Sequence, residues 1–354
     1  MVGQKIWGNA TWYLFHTLSY KLKYDTKENV INIYNIFKNI LFKNLKNKPY
    51  VVGVSGGPDS LALAYLSKLY SKEFQNTFKI FIINHKLRRE STNEANKVKK
   101  ILLKEKISSK ILTWTGKIPK KNIQASARKI RYELLLRECN KYGIQNLILG
   151  HQNDDLIENF LIRLFRGSGL KGLSSFNEST LLEYNNIKII RPLLSFKKND
   201  LIYISKKIFG IYILDPSNNK ETYLRTRIRN YINIFKSEGL DINKIKLTIE
   251  NLKSAENSLN FYFKKSLKKY VLFSDKDQCI INTDLLLNES EETIFRIFGY
   301  VISKVGKNYY PPRGKDLMRL INNMRIKKNL KSTLGKCIIE RINNTYIVKK
   351  EHKA

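Results

Sequence analysis

The chain of 354 residues carries 65 Lys plus Arg against 30 Asp plus Glu, a formal charge of +35, with 42% apolar residues. That apolar share excludes a chain disordered throughout, and no run approaches the roughly 18 consecutive apolar residues of a membrane span. The surplus of cations favours a polyanionic partner, nucleic acid before an acidic membrane surface, unless it reflects only heavy use of Lys, Asn and Ile.

The opening stretch, MVGQKIWGNATWYLF, has no basic segment followed by an unbroken apolar one, so no secretory signal is expected. Residues 1–45 read as an amphipathic helical extension. Strands are expected at Tyr50–Ser55, Lys79–Asn84, Ser109–Trp114, Asn146–His151 and Ile187–Leu194, all short, β-branched and almost continuously apolar, as buried parallel strands are. Helices are expected between them at Ser60–Lys72, Ser91–Lys106 and Asn122–Tyr142, and then at Asn199–Phe209. The second opens on Ser91-x-x-Glu94, a capping-box pattern, and the third runs from Asn122 to a stop at Gly143. This alternation predicts an α/β fold, a doubly wound parallel sheet with its ligand beyond the strand C-termini.

Residues 217–300 read as mostly helical, with Tyr223–Phe235 carrying Arg225, Arg227 and Arg229. Residues 301–354 hold Pro311-Pro312, a basic amphipathic stretch Lys315–Lys328 and short apolar runs at Cys337–Ile339 and Tyr346–Val348. They contain 14 Lys plus Arg against three acids. The expected division is an extension at 1–45, a catalytic α/β domain at 46–216, a helical region at 217–300 and a small basic C-terminal domain at 301–354. Cys139, Cys279 and Cys337 are scattered and form no CxxC, which fits a reducing cytoplasm.

Ser55-Gly56-Gly57-Pro58-Asp59-Ser60 joins the first strand to its helix. Adjacent glycines let the backbone turn sharply and expose amides, and together with the helix N-terminus these make a cradle for phosphate oxygens. Ser55 and Ser60 add hydroxyls. Asp59 is unsuited to phosphate but suited to a Mg²⁺ that contacts it. There is no GxxxxGK[ST], which argues against a Walker-type NTPase. Farther on, Asp155 and Glu158 share one helix face, as do Asp154 and Glu158, close to the helix start and to His151. For Asp154 the plain capping role is preferred.

SGGPDS resembles the signature of the N-type ATP pyrophosphatases, the PP-loop superfamily, whose members cleave ATP between the α- and β-phosphates and adenylate a substrate. Five further blocks follow in order: Asn84-His85-Lys86-Leu87-Arg88, Ala127–Tyr132 (ARKIRY), His151–Glu158 (HQNDDLIE), Arg166–Leu170 (RGSGL) and Arg191–Leu194 (RPLL). With Asp215-Pro216-Ser217-Asn218 and Arg225–Arg229 downstream, they resemble the tRNA(Ile)-lysidine synthetase family over roughly residues 50–235, and again at Tyr310–Ile339. The chain departs from that family at Asn84 and Asn159, where Asp and Thr are usual.

The resemblance implies an ATP-dependent, Mg²⁺-assisted ligase. It adenylates the wobble cytidine of a tRNA(Ile) bearing a CAU anticodon and then lets L-lysine displace AMP, forming lysidine. On this reading Ser55, Gly56, Gly57, Pro58, Asp59, Ser60 and His85 surround ATP, with Asp59 as the Mg²⁺ ligand. Arg131 meets the α-phosphate. His151 serves as base or as partner of the leaving AMP, and Asp155 with Glu158 clamps lysine. Arg191, Arg225, Arg227 and Arg229 contact tRNA, and the helical region 217–300 with the basic C-terminal domain is expected to hold it. A cytoplasmic enzyme is implied, and a homodimer is left open. The rivals are another PP-loop tRNA-modifying enzyme and a non-catalytic RNA-binding protein on the same scaffold. A thiolating enzyme would be expected to carry CxxC, and this chain has none.

Overall fold

The structure is a computed structural model that describes residues 24–116, 123–182, 186–213, 224–239, 241–308, 311–327 and 329–351. The expected features at 1–23, Asn122, Asp215–Asn218, Tyr223 and Tyr310 lie outside them. Strands β1 (Tyr50–Val54), β2 (Phe78–Asn84), β3 (Ser109–Thr113), β4 (Asn146–Leu149), β5 (Ser179–Leu182) and β6 (Ile187–Ile190) form one sheet in the order β3-β2-β1-β4-β6-β5. All its pairings are parallel except β5–β6.

Side-chain alternation splits the sheet between two cores. Val52, Val54, Ile80, Ile82, Ile148 and Ile190 point to one face, where the helices Pro58–Phe74, Ser91–Lys104 and Lys198–Phe209 pack. Val51, Phe81, Leu112, Leu147, Leu149 and Ile189 point to the other, covered by the helix Ile123–Lys141 through Ile130, Leu134 and Leu135. The helix Tyr24–Leu45 sends Val30, Tyr34, Phe37, Leu41 and Leu45, spaced three or four apart, into the first of these cores. That part of the expected extension therefore shares its core with β1.

Three local expectations are corrected. Ser91 is the first residue of its helix and not the cap: its hydroxyl accepts from the Arg88 amide at 3.2 Å, and Glu94 pairs with the Arg88 guanidinium at 3.0 Å. β4 stops at Leu149, so Gly150 and His151 belong to the loop beyond it. β6 stops at Ile190 because Pro192 cannot donate to a ladder, and Arg191–Leu194 turn instead. The region 217–300 is mostly helical as expected, and also contains β7 (Val271–Phe273) and β8 (Gln278–Asn282), runs too short for periodicity to reveal.

Residues 248–354 form a second compact unit. Its antiparallel sheet runs β7-β8-β11-β10-β9, where β9 is Lys331–Leu334, β10 Cys337–Ile342 and β11 Thr345–Lys350. The helices Glu291–Val305 and Gly314–Ile326 bury Ile297, Phe298, Val301, Leu320 and Ile321 with Ile281, Ile339 and Val348 in one core. The first of these helices runs through residue 300, where a domain boundary was expected. Cys139, Cys279 and Cys337 are free and buried. Among the described residues no helix is long and apolar enough to cross a membrane.

Candidate active site

The chain builds β1, β2 and β3 outward in one direction, then crosses back to lay β4 on the other side of β1. At this reversal the loops after β1 and β4 lie side by side at the switch point, the crevice in which sheets of this kind hold their ligands. Gly53 pairs with Leu149, so both loops start within two residues of the same rung. Gly150 allows their close approach: a Cβ there would lie 3.3 Å from the Asp59 carbonyl oxygen and from Ser60 Cα.

Ser55–Ser60 turns at Gly56, whose φ of +90° suits glycine, and a Cβ there would meet Val98 Cγ2 at 2.4 Å. The Ser60 hydroxyl accepts from the amides of Gly56 (3.0 Å) and Ser55 (3.2 Å) and donates to the Gly57 carbonyl (3.0 Å). Ser60 thus orders the loop from within, while Ser55 is exposed at its mouth. Pro58 opens the following helix, where its missing N–H costs nothing. The unpaired amides of that first turn point to where an anion would sit. His85 follows β2 at the same edge, half-buried.

One wall of the crevice is acidic. Asp59 is pushed up to about 7 by burial and by the charges of Asp155 and Asp154, against the pull of Lys198 and Arg229. Its Oδ1 is buried without a hydrogen-bond partner. Asp155 accepts from the Gln152 amide at 3.0 Å, and Gln152 accepts from the Asp154 amide at 2.8 Å, making a capping box for the helix Asn153–Leu164. Glu158, one turn on, is 1% exposed. It is held by Arg229 through two hydrogen bonds, one from Nε and one of 3.3 Å from a terminal nitrogen. Burial pushes its carboxyl upward and the Arg229 bond pulls against that.

A cationic cluster adjoins these acids: Asp155 acts on Arg131, and Arg225 acts on Glu158. His151 is buried and lies edge-on to Phe176, centroids 5.2 Å apart. Burial drives its pKa well below the ordinary value, and Arg128, Arg191, Arg131 and Arg225 drive it further, all of which favours the neutral ring. Arg191 is 5% exposed, stacked on Phe176 at 4.7 Å, and its terminal nitrogen donates to the Asn177 carbonyl and Thr180 Oγ1, both at 2.9 Å. Arg131 is partly buried with an unpartnered Nε, and burial followed by Arg128 pulls its pKa down.

The predicted residues therefore divide. Ser55–Ser60, Arg131, His151, Asp155 and Glu158 meet at the crevice. Arg225 and Arg229, one turn apart on the helix Leu224–Ser237, face it as well, while Arg227 between them is exposed. Arg191 lies in the pocket wall and not on an outer surface. Asn84 is explained locally: its amide donates to Thr92 Oγ1 (3.0 Å) and its carbonyl accepts from the Lys86 amide (3.1 Å). Asn159 accepts from Arg163 Nε at 2.7 Å. Sequence reasoning gave no role to Arg128, although its position three before Arg131 on one helix face was a usable signal. Phe176 and Lys198 carried none.

A PP-loop domain model matches residues 28–235. The tRNA(Ile)-lysidine synthase of Orientia tsutsugamushi is 37% identical over 83% of this chain and 68% of its own length. That of Wolbachia pipientis wMel is 32% identical over 89% of this chain and 74% of its own. Among solved structures, the U34-tRNA thiolase NcsA from Methanococcus maripaludis aligns with a TM-score of 0.53 at 20% identity, over 63% of this chain and 80% of that one. At that identity the likeness concerns the fold.

Proposed function

Because the chain belongs to the tRNA(Ile)-lysidine synthase family of PP-loop proteins, we propose that the crevice adenylates a tRNA cytidine and passes it to lysine. The reaction joins L-lysine to C2 of the wobble cytidine of a CAU-bearing tRNA(Ile). The C2 oxygen attacks the α-phosphorus of ATP and pyrophosphate leaves. The ε-amine of lysine then attacks C2, losing a proton as AMP departs with the C2 oxygen.

The observation that carries this reading is the meeting of a carboxylate cluster and an arginine cluster beside a glycine loop whose helix N-terminus can receive phosphate. Arg131, Arg128 and Arg225 face the place where negative charge gathers on the α-phosphate. Arg191 contributes charge to the same wall and holds Phe176 against His151. A neutral His151 among arginines is a weak proton acceptor and a good hydrogen-bond partner for the departing AMP, which favours the second of its two expected roles. On the acidic wall, Asp155 keeps one carboxylate oxygen outside the capping box and is the better lysine ligand. Glu158, already bound by Arg229, positions that arginine.

The Asp59 carboxylate, half-buried, unpartnered on its buried Oδ1 and repelled by Asp155, fits a Mg²⁺ ion. Magnesium is typically held by one or two carboxylates plus substrate phosphates. Among the described residues no group of three or more His, Cys, Asp or Glu side chains assembles a metal site. When bound, it would neutralise phosphate charge. Cytoplasmic residence accords with this chemistry.

The test uses purified protein, ATP, Mg²⁺, labelled lysine and a CAU-bearing tRNA(Ile) transcript, with CAU-bearing tRNA(Met) as control. Label is expected in the first RNA alone. Label in neither refutes the assignment, and equal label in both refutes the specificity. Asp155→Ala is expected to lose lysine transfer; transfer at the normal rate would remove Asp155 from the scheme.

A further inference from the structure

The 29-residue helix Ile242–Tyr270 carries three aromatic residues in succession, Phe261, Tyr262 and Phe263. Successive helical positions are about 100° apart, so they cannot share one face. Phe263 turns inward, edge-on to Tyr300 with centroids 5.6 Å apart, against the core of the 248–354 unit. Phe261 and Tyr262 turn outward, 66% and 58% exposed. Their rings brace each other edge to face, centroids 5.5 Å apart at 84°.

The next turn of the helix supplies charge. Lys264 and Lys265 lie three and four residues beyond Phe261, Lys265 lies three beyond Tyr262, and Lys268 follows one turn later, so rings and ammonium groups are surface neighbours. All three lysines are exposed, and among the described residues none has a carboxylate partner. No Asp or Glu occurs between Glu256 and Asp275. Glu256 is turned inward onto Arg296 at 2.7 Å, and Glu289 takes a hydrogen bond from the buried Ser266 at 2.7 Å. Lys269 is engaged with the Tyr270 ring at 4.7 Å.

A face meant for another protein would usually mix charges around its apolar centre. This one offers two flat rings beside three exposed lysines that no carboxylate pairs among the described residues, which complements a polyanion whose units have flat apolar faces. Base pairing hides those faces inside a duplex, whereas unpaired nucleotides leave them free to stack. We propose that Phe261 and Tyr262 are a stacking platform for unpaired nucleotides of the tRNA substrate, with Lys264, Lys265 and Lys268 taking the adjoining phosphates. This rests on reading the chain as a tRNA-acting enzyme.

The experiment measures binding of the tRNA(Ile) transcript by the full chain across a salt series, with circular dichroism confirming the fold of each variant. Phe261→Leu with Tyr262→Leu keeps apolar bulk and helix propensity but removes the rings. It is expected to weaken binding about tenfold at every salt concentration. Tyr262→Phe keeps a ring and is expected to bind as the parent does. Changing Lys264, Lys265 and Lys268 to Gln is expected to flatten the log–log salt dependence by about 0.7 for each phosphate no longer neutralised. Undiminished affinity in the double leucine variant overturns the platform. So does a dimer that dissociates in that variant while tRNA affinity is unchanged. Failure of the parent protein to bind the transcript at any salt overturns the tRNA reading itself.

Discussion

Replacing Asp59 by Asn should stabilise the protein and silence it, and the stabilisation should depend on pH in a defined direction. Asp59 rises from 3.8 to about 7 on folding, chiefly through burial and then through Asp155. Below pH 3.8 both folded and unfolded chains hold the proton, and Asp59 has no effect on stability. As pH rises toward 7, the unfolded chain ionises freely while the folded one resists. The folded state then binds more protons, and stability falls until the folded carboxyl has also ionised. Three units at 1.36 kcal/mol each set a ceiling of about 4 kcal/mol. Asp59 retains some exposure to solvent, which reduces the expected effect to about 1–3 kcal/mol. For a unit of this size that corresponds to roughly 2–10 °C in Tm. Thermal unfolding of ligand-free parent and Asp59→Asn proteins, followed by circular dichroism, should show about a quarter of the gain at pH 4.5 and nearly all of it at pH 8. The asparagine protein should also lose the extra stability that Mg²⁺·ATP gives the parent. A gain independent of pH, or a less stable variant at pH 8, would refute the electrostatic account of this carboxylate.

Other outcomes follow from the same interactions. Arg229→Ala leaves the buried Glu158 carboxylate without its partner and should cost about 2–3 kcal/mol in urea unfolding. Adding Glu158→Ala should return part of that loss, and strict additivity would show the pair to be uncoupled. In the second unit, Arg296 meets Glu256 through two 2.7 Å hydrogen bonds and Glu292 through a third of 2.7 Å. Arg296→Ala should therefore cost about 3–5 kcal/mol in the same measurement, and a loss below 1 kcal/mol would contradict that burial. Arg227→Gln, on the exposed face, should flatten the salt dependence of tRNA binding, whereas the buried Arg191→Gln should leave that slope alone and lower turnover. The reverse pattern would exchange the two assignments.

Much of this site was legible because its parts are local. The glycine loop needed only adjacent glycines between an apolar strand and a helix start, and the two acids needed only helical spacing. What the residues then do to one another was not legible. Glu158 looked like a free carboxylate beside Asp155, and its partner Arg229 stands 71 positions away. Asp155 was expected to clamp lysine, yet it also closes a cap with Gln152, a residue outside the usual Ser, Thr, Asp and Asn signals. Ser91 and Glu94 carried the stronger sequence pattern for such a box, but Arg88 competes for both side chains. The antiparallel β5 and the hairpin β7–β8 escaped for another reason: strands of three to five residues make too few alternations to stand out.

The charge surplus divides between two physical roles that composition cannot separate. Arg128, Arg131, Arg191 and Arg225 all act on His151, and this convergence of like charges in a partly desolvated wall is unfavourable until an anion enters. It is tolerated as preorganisation: donors already in place need not reorganise when charge develops on the substrate. Lys264, Lys265, Lys268 and Arg227 are solvated, so each costs little to expose and acts through counterion release instead. Mutating the first group should therefore alter chemistry, and mutating the second should alter how affinity responds to salt. A steep salt dependence that survives removal of the exposed lysines would place the polyanion elsewhere on the molecule, and the surplus on this helix would then reflect composition alone.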